Sequence, residues 1–252
     1  GGGLAVLFSE DVCCSACAAS LPETIAVPGF PGASEDTITG TIAMWKNRTD
    51  CMVIGPGMGR SKKAGEAFLL ALSAWDKKMI VDGDGLYWLR EYGTQCARKG
   101  DMLITPHEGE AALLLGLEPG EVKSERSASV RKLAEKWGTA LLKGRETLVD
   151  DGRRTLLVSE GNRVLAVPGS GDVLAGISAF FVSSGLPIPQ AAALAAFVHG
   201  RAGNRVSGEK GLDGVLASEI ADAVPPVIRE MRENRVFPFF KQQNRENTDA
   251  AR

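Results

Sequence analysis

Residues 169–172, with the sequence G-S-G-D, combine residue types that bind phosphate with one that can move a proton. They stand directly before an apolar run that predicts a helix. Glycines let a backbone approach an anion closely, and a helix start adds free N–H groups and partial positive charge, so a phosphate cradle is expected here. Asp172 can then take the proton from a hydroxyl that attacks phosphorus. The alternative is that Asp172 only caps the helix and that the glycines form a tight turn.

A second glycine-rich loop, residues 53–60, joins an apolar run to a segment with helical spacing. Gly55, Gly57 and Gly59 would let its backbone come close to a ligand. The spacing is G-x-G-x-G rather than the G-x-G-x-x-G of a Rossmann pyrophosphate loop, and Pro56 removes an N–H from its middle. A Rossmann loop is therefore disfavoured, and a plain turn between strand and helix remains the alternative.

Several polar residues follow predicted strands. His107 comes after a Thr-Pro pair, at a strand end where open parallel sheets bind ligands, although a lone histidine in a loop is more often a surface residue. We expect Glu110 to cap or orient the same loop, and Asp84 to hold a neighbouring one. His199 lies in an alanine-rich stretch and is interpreted as a packed or capping residue.

Residues 143–147 also follow a predicted strand. Lys143 can offset phosphate charge as a point cation, and Thr147 offers a hydroxyl. The alternative is an ordinary solvated turn.

The composition disfavours several classes of partner. The 252 residues carry 29 Lys and Arg against 31 Asp and Glu, a net charge of −2, so the chain has no overall basic field that attracts nucleic acid. No stretch approaches the roughly 18 consecutive apolar residues of a membrane span. We therefore expect a small-molecule partner, with neither nucleic acid nor membrane.

The five cysteines are a poor disulfide framework, because their number is odd and Cys13, Cys14 and Cys17 are crowded together. No second cysteine pair or nearby histidine completes a zinc site with the C-x-x-C of Cys14 and Cys17. We expect a cytoplasmic protein whose own side chains form no metal site.

Short apolar runs alternate with longer segments of helical spacing, which predicts an α/β fold. The runs are apolar on both faces, as parallel strands covered by helices are. The predicted strands are residues 4–8, 52–55, 79–82, 102–105 and 140–143, and the predicted helices are residues 10–19, 61–75, 108–116 and 126–137.

The second half of the chain changes character. Residues 147–150 and 155–159 flank an Asp-Gly turn and predict an antiparallel hairpin. Helices are predicted at residues 172–184, 188–206 and 212–224. We expect one domain over residues 1–228 and a polar tail over residues 229–252, whose apolar patch at 236–240 docks on the body or on a neighbouring subunit.

Residues 162–176, Gly185 and residues 199–203 resemble the C-terminal signature of the ribokinase-like superfamily. Four more stretches are similar to motifs of the NAD(P)H-hydrate dehydratases: residues 53–60 (G-P-G-[LM]-G-R), 81–86 (D-A-D-G-L), 104–110 (T-P-H-x-G-E) and 142–147 (L-K-G-x-x-T). These five motifs in order cover residues 53–203, and residues 2–6 resemble the strand that follows the family's first helix.

The resemblance implies a ribokinase-like fold, with a central, mostly parallel sheet and helices on both faces. The family normally has a further strand, a glycine-bearing turn and a helix ahead of Gly2, so we expect a fold that lacks this first βα unit. The implied reaction is the nucleotide-dependent dehydration of hydrated NADH or NADPH, with ADP or ATP as co-substrate and Mg²⁺ on its phosphates. A homo-oligomer is implied as well, with a tetramer favoured.

The resemblance also implies site residues. Asp172 would be the catalytic base and would contact the substrate, together with Gly57, Gly59 and His107. The nucleotide would be bound by residues of three segments: Lys143, Gly144, Arg145, Glu146, Thr147, Asn162, Gly169, Ser170 and Gly171.

The chain departs from the family pattern at two other positions, where Asn162-Arg163 replaces Asn-Pro and Val167-Pro168 precedes Gly169. We expect these changes to affect the rigidity or the nucleotide preference of the loop. Two alternative functions remain open on the sequence: a small-molecule kinase of the ribokinase superfamily, and an inactive relative that only binds nicotinamide dinucleotides.

Overall fold

The computed structural model describes residues 2–93, 101–234 and 241–243. Its strands are β1 (Val6–Ser9), β2 (Ile25–Pro28), β3 (Cys51–Ile54), β4 (Lys78–Val81), β5 (Met102–Ile104), β6 (Thr139–Leu142), β7 (Thr147–Asp150), β8 (Thr155–Val158) and β9 (Lys241–Gln243). Its helices are α1 (Asp11–Ser20), α2 (Glu35–Lys46), α3 (Lys62–Ala74), α4 (Asp84–Tyr92), α5 (Glu108–Leu115), α6 (Pro119–Ser124), α7 (Arg126–Trp137), α8 (Ser170–Ser183), α9 (Ile188–Lys210) and α10 (Ala217–Glu233).

The main sheet has seven strands in the order β3-β4-β5-β6-β7-β8-β9. β3 to β6 run parallel to one another, and β7, β8 and β9 are each antiparallel to the preceding strand. β1 and β2 form a separate, two-stranded parallel sheet. Because β3 to β6 share one direction, the loops that follow them lie along the same edge of the sheet, where such folds bind ligands.

The main sheet is covered by helices on both faces. Met79 and Val81 of β4 belong to the core that the sheet forms with α2 to α7, whereas Ile80 between them belongs to the core with α8, α9 and α10. All three side chains are fully buried. Burial on both faces explains why the central strands read as continuous apolar runs, and the predicted α/β class is confirmed.

The predicted strands and helices lie within a few residues of the observed ones, with specific exceptions. Five elements have no counterpart in the prediction: β2, β9, α2, α4 and α6. The first predicted strand begins at Val6 and pairs with β2, outside the main sheet. The last predicted helix, 212–224, is wrong at both ends, because α10 starts at Ala217 and continues through Pro225 and Pro226, where a helix would normally stop.

The predicted domain boundary at residue 228 falls inside α10, which ends at Glu233. Within the predicted tail, β9 pairs with β8 and extends the main sheet. The apolar patch at 236–240 lies outside the described residues. Of the helices that the structure describes, none is long and apolar enough to cross a bilayer.

The loops that follow β3 and β4 approach each other so closely that their backbones are in contact. Gly55, after β3, has a φ of 117°, and a Cβ atom there would lie 2.0 Å from the carbonyl oxygen of Asp82 and 2.5 Å from the nitrogen of Gly85. A Cβ atom at Gly85 would in turn lie 2.9 Å from the Cα atom of Gly55. This contact holds the loops after β3 and β4 together and excludes any side chain at either position.

We expect Gly55→Ala to lower the free energy of unfolding by at least about 3 kcal/mol, because backbone atoms cannot move aside for the new methyl group. Gly40→Ala is the control: Gly40 is exposed in the middle of α2 with open space around it, so alanine should be neutral or stabilise by about 0.5–1 kcal/mol. Urea unfolding of both variants measures the difference. A Gly55→Ala protein as stable as the unsubstituted chain would contradict this description of the two loops.

Candidate active site

The candidate site lies at the carboxyl ends of β3 to β6, facing the start of α8. The backbone nitrogen of Lys143, after β6, donates to the carbonyl oxygen of Pro106, after β5, at 2.8 Å. α8 packs against β3 and β4 on the same side of the sheet as α9. Loops that are far apart in sequence therefore meet at one place.

A charged cluster occupies the centre of this edge. The Lys143 Nζ atom lies 2.8 Å from Asp82 Oδ1 and 3.6 Å from Glu110 Oε2. The Asp82 side chain is only 3% exposed, and that of Lys143 is 19% exposed. A buried carboxylate without a partner would be strongly destabilising, so Lys143 is held toward the interior of the site and not out into solvent.

Asp172 lies in the first turn of α8, next to this cluster. The N-cap of α8 is Gly169, with a φ of 84°, so Asp172 is not the helix cap that the sequence left open as an alternative. Although the side chain is exposed, its pKa is raised, first because surrounding protein removes part of its hydration and second because Asp82 is nearby. The charge of Lys143 acts in the opposite direction and lowers the pKa of Asp172.

Gly171 links the helix start to the charged cluster. A Cβ atom at this residue would lie 3.4 Å from Lys143 Nζ and 3.8 Å from Asp82 Oδ2. The first intrahelical bond is donated by Val173 to Gly169, so the N–H groups of Gly171 and Asp172 have no partner within the helix. Free N–H groups, the helix dipole and an ammonium group together make a site for an anion.

His107 is the N-cap of α5, in a capping box with Glu110. Its Nδ1 atom accepts from the backbone nitrogens of Gly109 and Glu110 at 3.0 and 3.2 Å, while Glu110 Oε2 accepts from the His107 nitrogen at 2.8 Å. The proton of the neutral ring is therefore assigned to Nε2, which lies 3.5 Å from Glu110 Oε2. Glu110 thus orients this loop, as predicted, and connects His107 to Lys143.

The glycine-rich loop after β3 is held by the predicted residue, Asp84. Its carboxylate accepts from the Gly59 nitrogen at 3.0 Å and from Arg60 Nε at 2.9 Å. Gly57 and Gly59 have φ angles of 63° and 76°, and a Cβ atom at either would have no described atom within 4 Å. The loop therefore presents open backbone beside the loop after β4, and the two predicted substrate glycines belong to this part of the edge.

Arg126 anchors the predicted nucleotide-binding loop 143–147. Its guanidinium group donates to the carbonyl oxygens of Leu142, Lys143 and Glu146. It also forms an ion pair with Glu108. Gly144, Arg145 and Glu146 are exposed on the loop. Thr147 donates from Oγ1 to the carbonyl oxygen of Gly144 at 3.2 Å, which folds the loop back on itself.

Asn162, a predicted nucleotide-binding residue, directly precedes the 3-10 helix Arg163–Leu165. Its amide nitrogen donates to Asn204 Oδ1 and Ser207 Oγ of α9, and its oxygen accepts from the Val164 nitrogen. The structure thus uses this side chain to attach the 160s loop to α9.

Two residues of the site were missed in the sequence. Asp82 directly follows the apolar strand β4, and a carboxylate at the end of a buried strand was the available signal. His199 was interpreted as a packed or capping residue and is indeed buried; what the sequence did not show is that its Nε2 atom lies 3.0 Å from Ser170 Oγ in the G-S-G-D segment. Its signal was weaker: a single large polar side chain on the small-residue helix α9.

The protein side chains alone do not form a metal centre in the described part of the chain, where no three His, Cys, Asp or Glu residues are placed to hold an ion. Asp82 and Asp172 are the carboxylates of the central cluster nearest to Gly171 and α8. Mg²⁺ usually takes one or two carboxylates, with substrate phosphates and waters as its other ligands. The residues present therefore fit a Mg²⁺ ion that arrives with a nucleotide.

Comparison with known proteins identifies the family of this chain. Residues 3–226 match the model of the Carb_kinase family, described as NAD(P)H-hydrate dehydratase. The bifunctional NAD(P)H-hydrate repair enzyme of Thermanaerovibrio acidaminovorans is 37% identical over 206 residues, 80% of this chain and 40% of the relative. The ADP-dependent (S)-NAD(P)H-hydrate dehydratase of Neisseria meningitidis is 35% identical over 204 residues, 78% of this chain and 68% of the relative.

Solved structures agree on the fold. A ribokinase-like superfamily protein of Enterococcus faecalis matches with a TM-score of 0.80 at 24% identity, over 91% of this chain and 78% of the other. The ADP/ATP-dependent NAD(P)H-hydrate dehydratase of Bacillus subtilis, co-crystallised with ATP/Mg²⁺ and soaked with CoA, matches with a TM-score of 0.72 at 23% identity, over 91% and 82%. The chain spans less than half the length of the first curated relatives that it matches, 40% and 45%. It belongs to the NAD(P)H-hydrate dehydratase family and has the ribokinase-like fold.

Proposed function

We propose that this chain catalyses the nucleotide-dependent dehydration of hydrated NADH or NADPH. A phosphoryl group is transferred from ADP or ATP to the ring hydroxyl of the hydrate, and phosphate then leaves with loss of a proton from the adjacent carbon, which restores the dihydronicotinamide. The observation that carries the proposal is the convergence of a carboxylate, an ammonium group and a helix N-terminus at Asp172, Lys143 and Gly171.

Asp172 is the base in this proposal. It is exposed to the site, lies in the first turn of α8 and has a raised pKa, which makes it a better proton acceptor than an ordinary aspartate. Its position beside the free N–H groups at the start of α8 supports this role, because a phosphate bound there would lie next to the proton acceptor.

Lys143 and the free N–H groups of Gly171 and Asp172 hold the transferred phosphate, since Lys143 Nζ lies beside Gly171. Gly169 and Ser170 form the turn behind them, and the N–H and hydroxyl of Ser170 are already paired. The loop 144–147 and Asn162 border the rest of the nucleotide. Mg²⁺ bound to the nucleotide would supply charge neutralisation and alignment. The phosphates and water would be its main ligands, because Asp82 is paired with Lys143 and Asp172 acts as the base.

Gly57, Gly59 and His107 bind the dinucleotide on the other side of Asp172. The open backbone of the two glycines permits close approach of a flat or charged group, and the Nε2–H of His107 is available as a hydrogen-bond donor at the neighbouring loop. The N. meningitidis relative is named ADP-dependent, so ADP is the first donor to test.

We expect Asp172→Asn to lower turnover by roughly a hundred- to ten-thousandfold, the usual effect of losing a general base. Gly169 is the helix cap, so folding should be unaffected, and nucleotide affinity should hold or rise because a repulsive charge is removed. The assay follows dihydronicotinamide absorbance with NADHX and ADP or ATP. Asp36→Asn, the same change in the exposed first turn of α2, should retain full turnover.

The same assay distinguishes the alternatives with the unsubstituted protein. No turnover of NADHX, together with nucleotide-dependent phosphorylation of a vitamin precursor or a sugar, would indicate a small-molecule kinase. Nucleotide-dependent thermal stabilisation without any turnover would indicate a binding protein. Full activity of Asp172→Asn would remove this residue from the mechanism.

The pH dependence of kcat/KM should move upward in Lys143→Met. Asp172 acts in its ionised form, so activity is lost as the pH falls through its pKa. Lys143 lowers that pKa, so removal of its charge raises the pKa and the loss begins at a higher pH. Arg153→Met, an equal change of charge at the exposed hairpin turn, should leave both the profile and the rate unchanged. If kcat/KM of Lys143→Met fell at the same acidic pH as that of the unsubstituted protein, the lysine and Asp172 would not interact.

His107→Asn separates substrate binding from helix capping. Asparagine keeps an N-cap acceptor, so stability should be close to that of the unsubstituted protein, whereas His107→Ala should lose about 1 kcal/mol. Both variants lack the imidazole N–H, so both should raise KM for the hydrate by a similar factor. Unfolding curves and steady-state kinetics test this, and normal kinetics of His107→Asn would leave His107 as a cap alone.

A further inference from the structure

A buried polar pair lies directly behind the phosphate-binding segment. Ser170, the first residue of α8, is 2% exposed, and His199, in the middle of α9, is 7% exposed. Ser170 Oγ and His199 Nε2 are 3.0 Å apart. The two helices pack against each other and against the sheet, so this bond joins the start of α8 to a long, rigid helix.

We propose that His199 is a positioning residue, which holds the first turn of α8 through Ser170 so that the Gly171 N–H group and the Asp172 carboxylate face the transferred phosphate correctly. The inference rests on the proposed function for its kinetic test, but the geometric part can be tested without it.

The surroundings of His199 argue for a specific role. The buried face of α9 is otherwise made of small or apolar residues, among them Ala195, Ala196 and Ala202. An apolar side chain would fill this space without the cost of burying a polar ring, and the ring is tolerated because it has a partner. The partner it has is one of the four residues of the G-S-G-D segment.

The interaction is a hydrogen bond between neutral groups. Burial lowers the pKa of His199 to about 4, so the ring is uncharged near neutral pH. The backbone nitrogen of Ser170 donates within the turn, to the carbonyl oxygen of Val167 at 3.2 Å. Its hydroxyl is turned into the interior, where it can hold the turn to the rest of the protein. The hydroxyl thus adds a polar connection between α8 and α9 to their apolar packing.

Loss of the bond would leave the segment folded but free to shift. The transfer step depends on the alignment of the phosphate, the attacking hydroxyl and the base, and displacements of about 1 Å can cost about a hundredfold in rate. Ground-state binding of the nucleotide, which has other contacts, is less sensitive. The signature is a fall in kcat with a small change in KM.

The test is a double-mutant cycle of His199→Leu and Ser170→Ala, with His199→Gln as the conservative variant whose amide reaches the same position as Nε2. We expect each single variant and the double variant to lose a similar factor in kcat, up to about a hundredfold, because they remove the same bond. His199→Gln should recover most of the loss. The proposal would be overturned if the kcat loss of the double variant were the product of the two single losses. It would also be overturned if His199→Gln had a kcat as low as that of His199→Leu.

Val206→Ala is the control for a general loss of packing. Val206 is buried on the same helix, and its truncation should lower stability by about 1–3 kcal/mol while kcat per folded molecule stays unchanged. If His199→Leu also affects only stability, the histidine has a packing role alone. Should the leucine variant fail to fold, Ser170→Ala, which removes a single oxygen, takes its place in the same comparison.

Hydrogen exchange of the free protein provides the readout that needs no activity. His199→Leu and Ser170→Ala should speed amide exchange at the start of α8, and Val206→Ala should not. Faster exchange in a protein without dehydratase turnover would uphold the positioning role and reject the proposed function. Unchanged exchange in both variants would reject the positioning role, whatever the protein catalyses.

Discussion

The structure of this site depends on one buried ion pair, between Lys143 and Asp82. The Asp82 carboxylate is almost fully removed from solvent, and its partner comes from a residue 61 positions later in the chain. The pair can form only if the ends of β4 and β6 are held at the spacing of the sheet, with β5 between them. A Cβ atom at Gly171 would lie in ordinary contact with the lysine ammonium, at 3.4 Å, so the start of α8 lies directly beside the pair.

The two faces of the sheet contribute different parts of the site. The loops after β3 to β6 carry the charged cluster and the glycine-rich loop, and α8, which packs on α9, carries Asp172 and the G-S-G-D turn. These parts meet only at the edge of the sheet. The hydrophobic cores on either side therefore fix the distance between groups that belong to opposite layers, and packing far from the site determines its geometry.

Much of the fold could be predicted because its signals are local. Strands β3 to β6 are buried on both faces and read as apolar runs, and the Asp-Gly turn predicts the hairpin β7–β8. The predictions failed where the local sequence is atypical of the element that it forms. α10 contains two prolines inside the helix, and β2 is short with exposed ends.

The site was predictable where a motif carries its chemistry in adjacent residues, as in the G-S-G-D segment. The role of Asp82 could not be read in this way, because it depends on a lysine that is distant in sequence. His199 has the same difficulty, since only the packing of α9 on α8 shows which residue its ring contacts.

The glycine-rich loop after β3 limits how the site can vary. At Gly57 and Gly59 there is room for a side chain, but both backbones have the left-handed conformation. Asparagine and aspartate adopt this conformation with little strain, and branched or bulky residues do not. Natural drift or directed selection can therefore introduce new polar contacts to a ligand at these two positions. Apolar contacts to a ligand would have to come from other loops. The choice of side chains at these two positions is therefore limited by backbone conformation and not by space.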